Sequence, residues 1–82
     1  MSKEIVINTT SIYEARALAE LVGIANAYAS SIIIVMENRR INAKSIMGVM
    51  GIGLDQGKSI VVEADGKDEE EAIAALEAFL TK

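Results

Sequence analysis

The sequence predicts an α+β fold, a two-layer open-faced sandwich in which a four-stranded antiparallel sheet is covered on one side by three helices. Two observations support this prediction. Strand-like and helix-like segments follow one another in the order βαββαβα. The helical segments each carry one apolar face, which has to be buried against a second layer. Hairpins and short crossovers between strands favour antiparallel pairing. A chain of 82 residues has room for one domain, predicted to span residues 1–82.

The four predicted strands are short segments rich in β-branched residues. KEIVIN, residues 3–8, has the length and alternation of a first strand. SIIIVME, residues 31–37, is the second strand, and RRIN can pair back on it as a hairpin partner. KSIVVEAD, residues 58–65, is the fourth strand, and its β-branched run indicates burial on at least one face.

The first two predicted helices differ in length. Residues 15–28 carry an apolar stripe at helical spacing, formed by Leu18, Leu21, Val22, Ala25 and Tyr28. The second helix follows Ser45, whose hydroxyl can cap it by accepting a hydrogen bond from a backbone N–H of the first turn. Gly48, Gly51 and Gly53 weaken its continuation, so this helix should be brief.

The third helix closes the chain. Asp68 is its predicted N-cap, and the three glutamates that follow, residues 69–71, lie in the first turn, where the helix dipole favours anions. The buried stripe is formed by Ile73, Leu76, Phe79 and Leu80. A helix start therefore explains the acidic triplet more simply than a metal site does.

The composition excludes several classes of function. The chain has no cysteine and no histidine, which removes disulfides, thiolate sites and the commonest general base and metal ligand. We therefore predict no enzyme activity, no cofactor and no metal. The net charge of −4 disfavours direct binding of nucleic acid. No apolar run approaches the roughly 18 residues of a membrane span, and MSKEIVIN does not resemble a signal peptide, so a cytoplasmic location is expected.

One segment, INAKSIMGVM, is specific enough to suggest a family. Together with the order βαββαβα and the chain length, it resembles the regulatory-serine segment of the HPr family, the small phosphocarriers of the bacterial sugar phosphotransferase system. The resemblance extends along essentially the whole chain. It implies that an ATP-dependent HPr kinase/phosphorylase phosphorylates Ser45, and that the product signals carbon catabolite control through a repressor protein. The alternative is that Ser45 is only a helix cap.

The resemblance also implies a docking surface on the short helix and the start of the first helix, with Arg16, Ile46, Met47 and Met50 as partner-binding residues. Methionine side chains suit a surface that must adapt to several partners. In the alternative interpretation, Ile46 and Val49 pack beneath the sheet edge and the methionines fill gaps.

The second motif of the family is altered in this chain. The phosphoryl-accepting histidine of the family lies in the context Gly-Ile-His-Ala-Arg-Pro-Ala, and the corresponding stretch here is SIYEARALA. Ala15 and Arg16 match, whereas Glu14 stands at the histidine position, Ile12 at the glycine position and Ala17 at the proline position. A chain without histidine cannot carry a phosphohistidine.

Two interpretations of Glu14 stay open. It can be a first-turn carboxylate that interacts favourably with the helix dipole. It can also be a fixed anion in the place of the family's phosphate, assisted by Arg16. The function predicted for the chain is thus regulatory and HPr-like, without carrier activity. The alternative is a small binding or structural α+β domain with no signalling role.

Overall fold

The computed structural model describes residues 1–8, 15–51, 54 and 56–81. Within them the elements follow the order βαββαβα, as predicted. The strands are β1 (Ser2–Val6), β2 (Ser31–Met36), β3 (Arg39–Asn42) and β4 (Ser59–Asp65), and the helices are α1 (Ala15–Asn26), α2 (Ile46–Met50) and α3 (Glu69–Leu80).

The four strands form one antiparallel sheet in the order β1-β4-β2-β3. Ile34, at the centre, lies opposite Ile41 of β3 and Val62 of β4. β2 and β3 form the predicted hairpin, whose turn includes Glu37 at a positive φ of 57°. The strand order places β1 and β3 at the two edges of the sheet. The predicted open-faced α+β sandwich is confirmed.

The core lies between one face of the sheet and the apolar sides of the helices. The strands bury alternate residues, as expected for a sheet with one covered face. The predicted stripe of α3 is buried in full, and Leu18, Leu21 and Ala25 of α1 are buried against it. The strand residues of the same core are Ile5, Ile32, Ile34, Met36, Ile60, Val62 and Ala64.

Four elements are shorter than their patterns predict. β2 ends one residue early, at Met36, and β4 begins one residue late, at Ser59, whereas β1 and α1 each end two residues early. β1 ends at Val6. Beyond it the N–H of Ile7 donates to the carbonyl of Lys58, and the N–H of Asn8 donates to the carbonyl of Leu80 at the end of α3. α1 ends at Asn26, because the N–H of Ala27 and that of Tyr28 donate to carbonyls three residues earlier. Such tightening is common at the end of a helix.

The predicted capping role of Asp68 is wrong. Asp68 occupies the N-cap position of α3, but its side chain makes no capping hydrogen bond. Its carboxylate instead accepts the N–H of Ala29 at 2.8 Å, the N–H of Ser30 at 2.9 Å and the hydroxyl of Ser30. Ser30 is buried, so its polar groups need partners inside the protein. Asp68 therefore joins the α1–β2 connection to the β4–α3 connection.

These hydrogen bonds predict how stability depends on pH. Hydrogen bonds hold the pKa of Asp68 below its ordinary value. The bond from the Ser30 hydroxyl has the largest effect, and the bond from the Ala29 N–H has the next largest. The Asp68 carboxylate therefore binds a proton more readily in the unfolded chain than in the folded protein. Its contribution to the free energy of unfolding is complete above about pH 5 and is lost as the pH falls through the lowered pKa. Urea unfolding from about pH 7 to pH 3 should show a steeper decline for the wild type than for Asp68→Asn. Parallel profiles would contradict the prediction.

Candidate functional site

Ser45 immediately precedes α2 and caps its N-terminus. Its backbone is extended, with φ −104° and ψ 114°, and its Oγ accepts the N–H of Gly48 at 3.3 Å. The carbonyl of Ser45 accepts the N–H of Val49 at 3.0 Å. This confirms the predicted N-cap, an interaction worth about 1 kcal/mol in other helices. The serine side chain is half-buried, so solvent reaches it at the edge of the helix.

α2 lies close against β3, which restricts its sequence. A Cβ on Gly48 would meet Cγ2 of Ile41 at 3.0 Å, closer than most real contacts. At the other end, the N–H of Gly51 bonds the carbonyls of Gly48 and Val49 and ends the helix. The helix is short, as predicted, and ends at Gly51, whereas Gly53 lies outside the described residues. Gly48 lies inside the helix and permits its close approach to the sheet.

The apolar residues of α2 fall on two sides. Val49 is buried in the core, at 1% exposure. Ile46, Met47 and Met50 are 42%, 83% and 56% exposed, and we call these three residues the α2 surface. The structure thus places Ile46 on the exposed side and Val49 beneath it. A cluster of exposed apolar side chains on a small domain is typical of a contact surface.

The remaining predicted site residues are Arg16 and Glu14. Arg16 is exposed on α1, which contacts α2. Glu14 and Ile12 lie outside the described residues, so the prediction for Glu14 stays a prediction. Among the described residues, no group of three or more acidic side chains is arranged to hold a metal ion.

The attachments that hold α2 were not predicted from the sequence. The ammonium of Lys44 donates to the carbonyl of Tyr28 at 2.8 Å, and the amide nitrogen of Asn26 donates to the carbonyl of Lys44 at 3.2 Å. At the far end, the guanidinium of Arg39 donates to the carbonyl of Gly51 at 3.2 Å. The only sequence signal was the placement of polar residues beside helix ends, which does not identify a partner 16 or 18 residues away.

The neighbouring arginine has a different role. Arg40 forms an ion pair with Glu63 of β4 at 2.7 Å, and the hydrogen bond and charge of Glu63 raise the pKa of Arg40. β3 is an edge strand, and a charged side chain such as Arg40 on an edge disfavours pairing with a strand of another molecule.

Comparison with known proteins identifies the family. The family model described as "PTS HPr component phosphorylation site" matches residues 1–82. The chain belongs to the HPr family. A curated relative, the HPr-like protein Crh of Halalkalibacterium halodurans, is 37% identical over 82 residues, covering 100% of this chain and 98% of the relative.

Other relatives include phosphocarriers and a catabolite repression protein. The phosphocarrier protein HPr of Lysinibacillus sphaericus is 41% identical over 68 residues, covering 83% of this chain and 77% of that protein. The crystal structure of HPr from Bacillus anthracis superimposes with a TM-score of 0.93 at 34% identity, covering 98% and 95% of the two chains. The solution structure of Crh, the Bacillus subtilis catabolite repression HPr, gives a TM-score of 0.74 at 29% identity, covering 100% and 98%.

These similarities show that the chain is a Crh-like member of the HPr family. The family predicted from INAKSIMGVM is confirmed. Within the part of the chain that the structure describes, no helix is long and apolar enough to cross a membrane.

Proposed function

We propose that this protein is a regulator of carbon catabolite control, switched by phosphorylation of Ser45, and that it does not act as a phosphocarrier. The observation that carries the proposal is the absence of histidine from a chain that belongs to a phosphocarrier family. Transfer of a phosphoryl group requires a nucleophile that is also a good leaving group, and a phosphorylated imidazole meets both needs. In a chain without histidine, the remaining phosphorylation site that the family resemblance implies is Ser45.

The surroundings of Ser45 support this role. The kinase would transfer the γ-phosphoryl group of ATP to Oγ, forming the P–O bond as ADP leaves and the hydroxyl proton is released. The protein supplies the acceptor and the kinase supplies the catalysis, so the protein is not itself an enzyme. The product would add a charge of about −1.5 to −2 directly beside the exposed side chains of Ile46 and Met47. Phosphorylation would thus change the charge of the α2 surface while leaving the core intact.

The α2 surface and Arg16 are the proposed contacts with partners. By resemblance these partners are an HPr kinase/phosphorylase and a catabolite control repressor, both reached in the cytoplasm. The protein binds the repressor and not the nucleic acid, because its net charge of −4 disfavours phosphate backbones. In this role Glu14 would act either as a helix-start carboxylate or as a permanent anion beside Arg16.

The affinity of the repressor for the two forms of the protein tests this proposal. We expect Ser45-phosphorylated protein to bind the repressor at least about tenfold more tightly than the unmodified protein, the effect of a charge-assisted contact of about 1.4 kcal/mol. Titration calorimetry with both forms measures the ratio. Equal affinities would contradict a serine switch and favour a binding domain without a signalling role.

A further inference from the structure

The end of α1 holds the backbone that precedes Ser45. The side-chain amide of Asn26, the last residue of α1, donates to the carbonyl of Val22 at 2.9 Å and to the carbonyl of Lys44 at 3.2 Å. The first bond stays within the helix and fixes the side chain. The second bond crosses to the segment that leads into α2.

The peptide bond between Lys44 and Ser45 is thereby held on both sides. Its carbonyl, that of Lys44, accepts from Asn26, and its N–H, that of Ser45, donates to the carbonyl of Asn42 at 3.0 Å. The orientation of this peptide plane restricts φ of Ser45 and therefore the position of its Cβ, from which Oγ reaches the N–H of Gly48. A second bond from the same segment, Lys44 Nζ to the carbonyl of Tyr28 at 2.8 Å, ties it to the same end of α1.

We infer that Asn26 is a positioning residue for Ser45. It keeps the hydroxyl in one orientation at the edge of α2, where a kinase would reach it, although it does not touch the hydroxyl itself. This inference rests on the proposed function, because it assigns to α1 a role in the phosphorylation of a serine on another element. Asn26 is exposed and lies outside the hydrophobic core, so its role is local.

The test compares Asn26→Ala with Asn38→Ala, which changes an exposed asparagine in the β2–β3 turn. Hydrogen exchange of the free proteins is measured first. In Asn26→Ala the amides of Ser45, Gly48 and Val49 should exchange about fivefold faster, the size of one net hydrogen bond, while the amide of Val62 in β4 matches the control. Unchanged exchange at α2, or equal acceleration in α2 and β4, would overturn the inference.

Steady-state phosphorylation by an HPr kinase/phosphorylase with ATP is measured second. Loss of the bond lowers the fraction of molecules with Ser45 correctly oriented, so KM for the protein should rise about three- to tenfold while kcat stays close to that of the control. Equal KM values for the two variants would overturn the role of Asn26 in the reaction. If neither the wild type nor Asn38→Ala is phosphorylated, the proposed function fails, and the exchange data still decide whether Asn26 positions Ser45.

Discussion

Replacing Gly66 with alanine is expected to lower the free energy of unfolding by roughly 2–5 kcal/mol, the combined cost of overpacking and an unfavourable backbone conformation. Gly66 has φ of 156°, and an added Cβ would lie 2.5 Å from Oγ and 2.7 Å from Cα of Ser30. Ser30 cannot easily move away, because it is buried and its N–H and hydroxyl both bond Asp68. Urea unfolding at neutral pH measures the loss.

Two other glycines serve as matched controls. Gly57 also has a positive φ, 91°, but an added Cβ would meet nothing within 4 Å, so Gly57→Ala should cost only the backbone strain of about 1–2 kcal/mol. Gly23 lies in α1 with open space around it, and Gly23→Ala should raise stability by about 0.5–1 kcal/mol. If Gly66→Ala is at least as stable as Gly57→Ala, Ser30 moves to accommodate the added methyl group, and the prediction is contradicted.

Replacing Met47 with glutamate is expected to weaken binding of the Ser45-phosphorylated protein to the repressor by at least about thirtyfold, the effect of losing a contact worth 2 kcal/mol or more. Met47 is 83% exposed, so the change should alter the free energy of unfolding by less than about 0.5 kcal/mol. The glutamate removes apolar contact area and places a second negative charge near the phosphate. Titration calorimetry and urea unfolding measure the two effects.

Val6 provides the control for Met47. It is also an exposed apolar residue, at 56%, but it lies on β1, at the opposite edge of the sheet from β3, which α2 contacts. Val6→Glu adds the same charge and should leave the affinity for the repressor within about twofold of the wild type, because surface changes away from an interface have small effects. If both variants bind as tightly as the wild type, the α2 surface does not dock the repressor.

Features that depend on local sequence were predicted well. The helices and strands follow from the spacing of their apolar residues, and the cap at Ser45 follows from a hydroxyl placed before a short helix. The family followed from one ten-residue segment, INAKSIMGVM, because its residues are specific beyond what a cap requires. The sequence could not decide whether Ile46 is exposed or packs beneath the sheet edge together with Val49. A helix of five residues shows too little periodicity, and the answer depends on how the helix packs on Ile41.

Features that depend on contacts distant in sequence were missed. Asp68 has the residue type and place of an N-cap, yet its carboxylate bonds Ser30, which is 38 residues away and buried. The bond from Asn26 to Lys44 likewise depends on how α1 and α2 lie beside each other. Local propensity describes what a side chain can do, whereas the fold decides which of the available partners it meets.

Mass spectrometry of the protein after incubation with an HPr kinase/phosphorylase and ATP tests the serine switch most directly. Ser45→Ala is the control, and its fold must first be verified because loss of the cap should lower the free energy of unfolding by about 1 kcal/mol. We predict one added phosphoryl group on the wild type and none on Ser45→Ala. An unmodified wild type, or equal modification of both proteins, would contradict regulation through Ser45.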